Sequence, residues 1–247
     1  MATRINTNDP RAIKLLDAAG IEYTIEASER SQLVTPASDF WTIGNIHYRG
    51  NILTADLSNK LLPVRTQQQH AAHRDSAVKG EFVTADLPFY IAMFDALFKQ
   101  KDFLEYAQQA RDFIQETLRN RFPITLTRPS YSTRGKDIVT HNYGTKDSYQ
   151  TKADIIGPDR VICRADRDTT NAVLGTNNIG RLHKVFNWLN GTDLSIYRFN
   201  EKPKELTDAV ARFYADPDNA RIDCDRHPDN ANASLGVRVN ARSASKK

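Results

Sequence analysis

Between residues 86 and 118 the apolar positions fall into a helical rhythm. Phe103, Tyr106, Ala107, Ala110, Phe113, Ile114 and Leu118 recur at spacings of three and four, which lays one apolar stripe along a helix. Residues 87 to 98 are apolar nearly all round, so this first part is expected to be buried, with a break or kink at 99 to 102. Asp86 is expected to cap the helix poorly because Pro88 follows it. Nearer the start, Asn8 or Asp9, Pro10 and Gly20 bracket a short helix. Residues 21 to 25 and 41 to 57 alternate as strands do, with Gly44, Gly50 and Asn51 marking turns. Residues 61 to 81 are polar, and Gln67, Gln68 and Gln69 give them a low-complexity flavour.

Beyond Pro123 the texture changes to short strands and loops rich in Thr, Ser, Gly and Asp. Residues 154 to 159 make a turn and 160 to 163 a strand. Residues 179 to 189 form a helix with Leu182, Val185, Phe186 and Leu189 on one side, 195 to 199 a strand, and 205 to 214 a further helix. The fold class is therefore α+β. A mostly α-helical region of unknown role is expected over residues 1 to 123, and a second domain over 124 to 247.

The most distinctive stretch is residues 213 to 234. Tyr214, Asp216, Asp218, Asn219, Arg221, Asp223, Asp225, His227, Asp229, Asn230, Asn232 and Ser234 are polar, most of them separated by one small or apolar residue. Period-two alternation is what a backbone with one buried and one displayed face requires. Asp, Asn, Pro and Ala are poor strand formers, so an irregular, loop-rich surface is expected. The window also contains no Lys, Glu, Gln, Met or Trp. Codons of the type AAC or AAT, altered only at their first two bases, encode Asn, Asp, Ser, Tyr, His, Arg, Phe, Pro, Cys, Ile and Ala but none of those five missing types.

Position near the C-terminus, alternation and this composition together resemble the variable proteins of diversity-generating retroelements. In that family an error-prone reverse transcriptase rewrites the 3′ end of a gene whose product has a C-type-lectin-like fold. The closing Leu235-Gly236-Val237-Arg238-Val239 looks like the family's last core strand. Phe186-Asn187-Trp188-Leu189-Asn190-Gly191-Thr192, Ile196-Tyr197-Arg198-Phe199-Asn200 and His141-Asn142-Tyr143-Gly144-Thr145 look like framework of its archaeal members. The resemblance implies a C-type-lectin-like domain over 124 to 247. Its hypervariable ligand-contacting surface would comprise Phe213, Tyr214, Asp216, Asp218, Asn219, Arg221, Asp223, Asp225, His227, Asp229, Asn230, Asn232 and Ser234. Trp188, Ile222, Cys224, Leu235, Gly236, Val237 and Arg238 would be framework, with 179 to 189 and 204 to 213 as the domain's two helices. The implied function is non-enzymatic display of a binding surface to an unidentified ligand, most naturally a protein, with no cofactor beyond at most a structural divalent metal.

Two other chemistries compete for the chain. Asp223, Asp225, His227 and Asp229 stand two apart, so on an extended chain they face one way, and such a set is the raw material of a metal-dependent hydrolase. Their spread of ~20 Å along one strand opposes convergence on one ion. His70 and His73 form an HxxH pair that a helix would place on one face, without an acidic or Cys partner at a convincing spacing. The net charge of +4 gathers not in 213 to 234, where five Asp face two Arg, but in 128 to 152. There Arg128, Arg134, Lys136, Lys146 and Lys152 oppose Asp137 and Asp147, which suits a solvated surface better than a nucleic-acid site. No nucleotide-binding loop, GxSxG, HExxH or CxxC occurs. A bridge between Cys163 and Cys224 requires Cα atoms within about 7 Å, and a chain of 247 residues does not need one. The opening residues lack the apolar core of an export signal and no apolar run reaches the ~18 residues of a membrane span, so a cytoplasmic protein is expected.

Overall fold

Strand β4 (Phe40–Tyr48) turns back into β5 (Asn51–Arg65) through Arg49 and Gly50. Tyr48 pairs with Asn51, and both turn residues have positive φ, 50° and 77°. This is the primed geometry whose twist matches the strands it joins. Gly44 does not mark a turn: the register slips between Ile43 and Ile46 and Asn45 adopts φ 56°, a bulge within β4. The computed structural model describes residues 3–5, 23–25, 36–37, 39–102, 105–145, 148–151 and 154–240.

The chain divides into two units, residues 1–33 and 34–247. In the first, β1 (Thr3–Ile5) and β2 (Tyr23–Ile25) pair in parallel; the helix expected over 9 to 20 lies outside the described residues. The second unit is mixed α+β, with five helices and three four-stranded sheets among the described residues. In one sheet β14 (Asn232–Asn240) pairs with β5, and the order β14-β5-β4-β3 is completed by β3 (Pro36–Ala37). Because β5 and β14 lie on opposite sides of residue 123, the boundary expected there is corrected: residues on both sides share one sheet.

A second sheet has the order β12-β13-β10-β9. Here β9 is Arg160–Val161, β10 Leu194–Tyr197, β12 Val210–Asp216 and β13 Asn219–Arg226. The third contains β11 (Thr207–Asp208), β6 (Arg128–Tyr131), β7 (Ile138–Thr140) and β8 (Ser148–Gln150). The helix expected over 205 to 214 is thus two strands. Ala211, Phe213 and Ala215 are buried while Arg212, Tyr214 and Asp216 are half-buried, and this period of two follows from pairing with β13, which overrides local helix propensity.

The polar stretch 61 to 81 is ordered as the end of β5 and helix α1 (Gln67–Ser76). Thr66 accepts from the Gln69 N–H at 3.2 Å and Gln69 Oε1 accepts from the Thr66 N–H at 2.9 Å. The glutamine run therefore contains a capping box. Helices α2 (Leu87–Gln100) and α3 (Glu105–Asn120) are separated by the expected break. Asp86 caps α2 well, its carboxylate accepting from the Phe89 N–H at 2.9 Å. Pro88 sits in the first turn, where no N–H is required. Helices α4 (Arg167–Leu174) and α5 (Ile179–Asn190) follow; α4 was not anticipated.

The apolar faces converge on α2. Phe94 lies 5.4 Å from Phe213 and 6.4 Å from Phe186, ring centre to ring centre. Beside them Tyr90 donates to the Leu235 carbonyl at 2.6 Å and accepts from the Ala85 N–H at 3.0 Å. Burial pushes its hydroxyl up to about 12. One core therefore backs both β14 and the β12–β13 hairpin.

Candidate binding face

The stretch 213 to 234 is not irregular. It is the body of the β12–β13 hairpin, a loop at 227 to 231, and the start of β14. Cross-strand packing compensates for its poor strand formers. The hairpin buries Phe213, Ala215, Ala220, Ile222 and Cys224. On the opposite side of the same two strands Arg212, Tyr214 and Asp216 pair with Asp223, Arg221 and Asn219, and Asp223 lies covered beneath its neighbours. From neighbouring β10, Ser195 pairs with Arg221 and Tyr197 with Asp223.

A stack of planar groups crosses this face. The Arg221 guanidinium lies 3.9 Å from the Tyr214 ring centre and 4.3 Å from that of Tyr197, within the range of cation–π attraction. On its far side Tyr214 stacks at 5.0 Å and 11° on Phe122, over which Arg212 lies at 5.3 Å. Phe122 has φ 49°, uncommon for a bulky side chain. The backbone there leaves α3 and enters Pro123, whose carbonyl accepts from the Phe213 N–H at 3.0 Å.

Beside this stack, the Asp223 carboxylate is 1% exposed and gathers three arginines. Arg212 donates through Nε at 3.1 Å and Nη2 at 3.0 Å, Arg226 through Nε at 3.3 Å, and the Arg221 Nε stands at 2.9 Å. A carboxylate so neutralised holds the arginine heads in register and is committed to them. Asp225 is half-buried; burial, and then the charge of Asp223, push its carboxyl above the usual carboxylate range.

Three residues expected on the ligand surface belong instead to the interior, which corrects that reading. Phe213 is fully buried against Tyr90 and Phe94. Asp223 is the anchor just described. Ser234 is fully buried, donating to the Ile124 carbonyl at 2.8 Å. Tyr214, Asp216, Asn219 and Arg221 are half-buried on the hairpin face; Asp218, His227, Asp229 and Asn230 are exposed, and Asn232 is half-buried. Asp218 and the 227 to 230 loop sit at opposite ends of β13, about 25 Å apart at the rise of a strand, so the stacked face separates them.

The expected framework residues have clear structural parts. Ile222, Cys224, Leu235, Gly236 and Val237 are buried. A Cβ on Gly236 would meet Phe82 Cβ at 3.1 Å. Trp188 is partly buried and meets Phe98 edge-on at 5.8 Å. Arg238 pairs with buried Asp56 at 2.7 Å and lies over the Phe40 and Phe82 rings. The two cysteines are unbridged, Cys163 exposed and Cys224 buried.

The competing sites change character in three dimensions. The Asp223 carboxylate already faces guanidinium groups, and His227 and Asp229 are on an exposed loop. In the HxxH pair, His70 donates from Nε2 to the Asn232 carbonyl at 3.0 Å and accepts at Nδ1 from Thr84 Oγ1 at 2.8 Å. Both ring nitrogens are thereby used, and burial holds the ring below its ordinary pKa. In the basic segment Arg128 lies 3.4 Å over Tyr143 and donates to Gln67 at 2.8 Å, leaving Arg134 and Lys136 exposed; Lys146, Asp147 and Lys152 lie outside the described side chains.

Sequence reasoning missed Phe122, Tyr197 and Arg212 as members of the face. Tyr197 was legible in principle, because the alternation of β10 puts it opposite buried Ile196; Phe122 depends on a backbone angle that no pattern announces. The chain matches no family model, no curated protein and no solved structure. Among the described residues no helix is long and apolar enough to cross a membrane.

Proposed function

We propose that this chain is a non-enzymatic ligand-binding protein of C-type-lectin-like type, whose C-terminal surface is diversified by a retroelement. The observation that carries the reading is the outward face of the β12–β13 hairpin. Polar and aromatic positions open to contact alternate there with residues locked in the core, on strands rather than on a free loop. Half-exposed tyrosines and arginines are the residue types that concentrate binding energy at protein contacts. Tyrosine adds contact area at low entropy cost, while Asp and Asn supply adaptable hydrogen bonds.

On this reading the contact residues are Tyr214, Asp216, Asp218, Asn219, Arg221, His227, Asp229 and Asn230, with Asp225 and Asn232 at the margin. Phe122, Tyr197 and Arg212 form a constant frame around them. Phe213, Asp223 and Ser234 move to the framework, because exchanging them would alter the core instead of the ligand. The ligand is a protein, since a broad, shallow sheet face suits a partner surface better than a small molecule. The test is genetic: a second, near-identical copy of the codons for 213 to 234 beside a reverse-transcriptase gene supports diversification, and a locus lacking both removes it.

A further inference from the structure

Away from that hairpin, α2, α4, α5 and the Arg49-Gly50 turn enclose a cleft of about 580 Å³, within the ~300–1,000 Å³ typical of small-molecule sites. Its wall is apolar, built from Ile91 and Ala92 of α2, Leu174 of α4, and Leu182 and Val185 of α5. The cleft keeps its shape because its helices are braced: α4 ends at Gly175, and a Cβ there would come within 2.8 Å of Pro88 in α2.

Two arginines, Arg49 and Arg181, line the cleft against one aspartate, Asp95. That aspartate is neutralised by Arg181 and by Lys99 at 2.8 Å. Tyr48 gives its hydroxyl proton to buried Asp86 at 2.6 Å, and Arg49 pairs with the same carboxylate at 3.2 Å. Beneath them the Thr127 hydroxyl accepts from the Leu87 N–H at 2.9 Å and shares a hydrogen bond with His141 Nδ1 at 3.0 Å. The acids at the cleft are thus satisfied by protein cations or a phenol, and with Lys99 counted three cations face the two carboxylates Asp86 and Asp95 beside an apolar wall.

We propose that this cleft binds a small carboxylic acid, its apolar body against Ile91, Leu182 and Val185 and its carboxylate toward Arg181 and Arg49. An apolar wall with a few convergent polar groups is the usual build of such sites, and arginine suits a carboxylate because its forked N–H groups can bond both oxygens. The cleft shares no residue with 213 to 234, so the proposal stands or falls separately from the display reading.

Octanoate is a suitable probe, titrated into the full-length protein by calorimetry with octanamide as the uncharged match. One saturable octanoate site is expected, with octanamide at least tenfold weaker. Arg181→Gln should weaken octanoate at least tenfold. Ala92→Trp, which puts a ring into the cleft from a half-buried helix position, should abolish binding while circular dichroism stays that of the parent. Absence of saturable octanoate binding to the parent overturns the proposal, as does equal affinity for octanamide, or undiminished binding in a folded Ala92→Trp protein. Should Ala92→Trp fail to fold, Arg181→Gln and the octanamide comparison decide.

Discussion

Replacing Asp223 by Ala removes the one carboxylate that Arg212, Arg221 and Arg226 share. The arginine side chains are 13%, 21% and 39% exposed, so Arg226 recovers much of its hydration when freed, whereas Arg212 and Arg221 stay largely sheltered beneath Phe122, Tyr197 and Tyr214. Losing one partner of a buried ion pair costs about 3–5 kcal/mol, and Arg226's access to water places this site at the low end, about 3 kcal/mol. With a urea m-value of about 2 kcal/mol/M, the unfolding midpoint should fall by ~1.5 M at unchanged slope. Circular dichroism against urea measures it, with Asp218→Ala and Asp229→Ala as exposed controls expected within ~0.5 kcal/mol. An Asp223→Ala midpoint indistinguishable from the parent would refute the anchor and return Asp223 to the ligand surface.

Phe213→Ala should destabilise by about 3–5 kcal/mol, read by the same denaturation; a neutral result would mean the side chain is not core. Exchanging the exposed Asp218, His227, Asp229 and Asn230 together for Ala should change stability by no more than ~1 kcal/mol, and a larger loss would show that these positions hold the fold together. Asp225 carries a raised folded-state pKa, so its contribution is fully present below the unfolded value of about 3.9 and is lost as pH rises through the folded value. Asp225→Asn should therefore be more stable than the parent at pH 7, with the gap closing toward pH 3 in thermal unfolding; equal stability at both pH values would contradict the burial penalty.

Helices α2, α3 and α5 were legible because their apolar stripes are long and local. The β4–β5 hairpin was legible too, within a residue at its turn. The final hairpin shows where a single sequence stops speaking. Residues 205 to 214 carry enough Glu, Leu, Ala and Arg to pass for a helix, and only the partner strand β13 decides otherwise. Within 213 to 234 the alternation correctly indicates two faces but not which residue lies on which. The register shifts between Val210 and Arg212, and Asp223 and Cys224 are buried in succession. The family resemblance places Phe213 and Ser234 on the displayed surface, but it marks a segment of chain and not where each side chain points. The cleft was invisible because α4, which supplies one wall, has too short a pattern to stand out.

Sequencing the 3′ end of this gene and its flanking DNA in many cells tests the display claim most directly. The account predicts a second copy of the 213 to 234 codons, and variation concentrated at Tyr214, Asp216, Asp218, Asn219, Arg221, His227, Asp229 and Asn230. Phe213, Ile222, Asp223, Cys224 and Ser234 should stay fixed. A single copy, or changes spread equally over outward and buried codons, would contradict it.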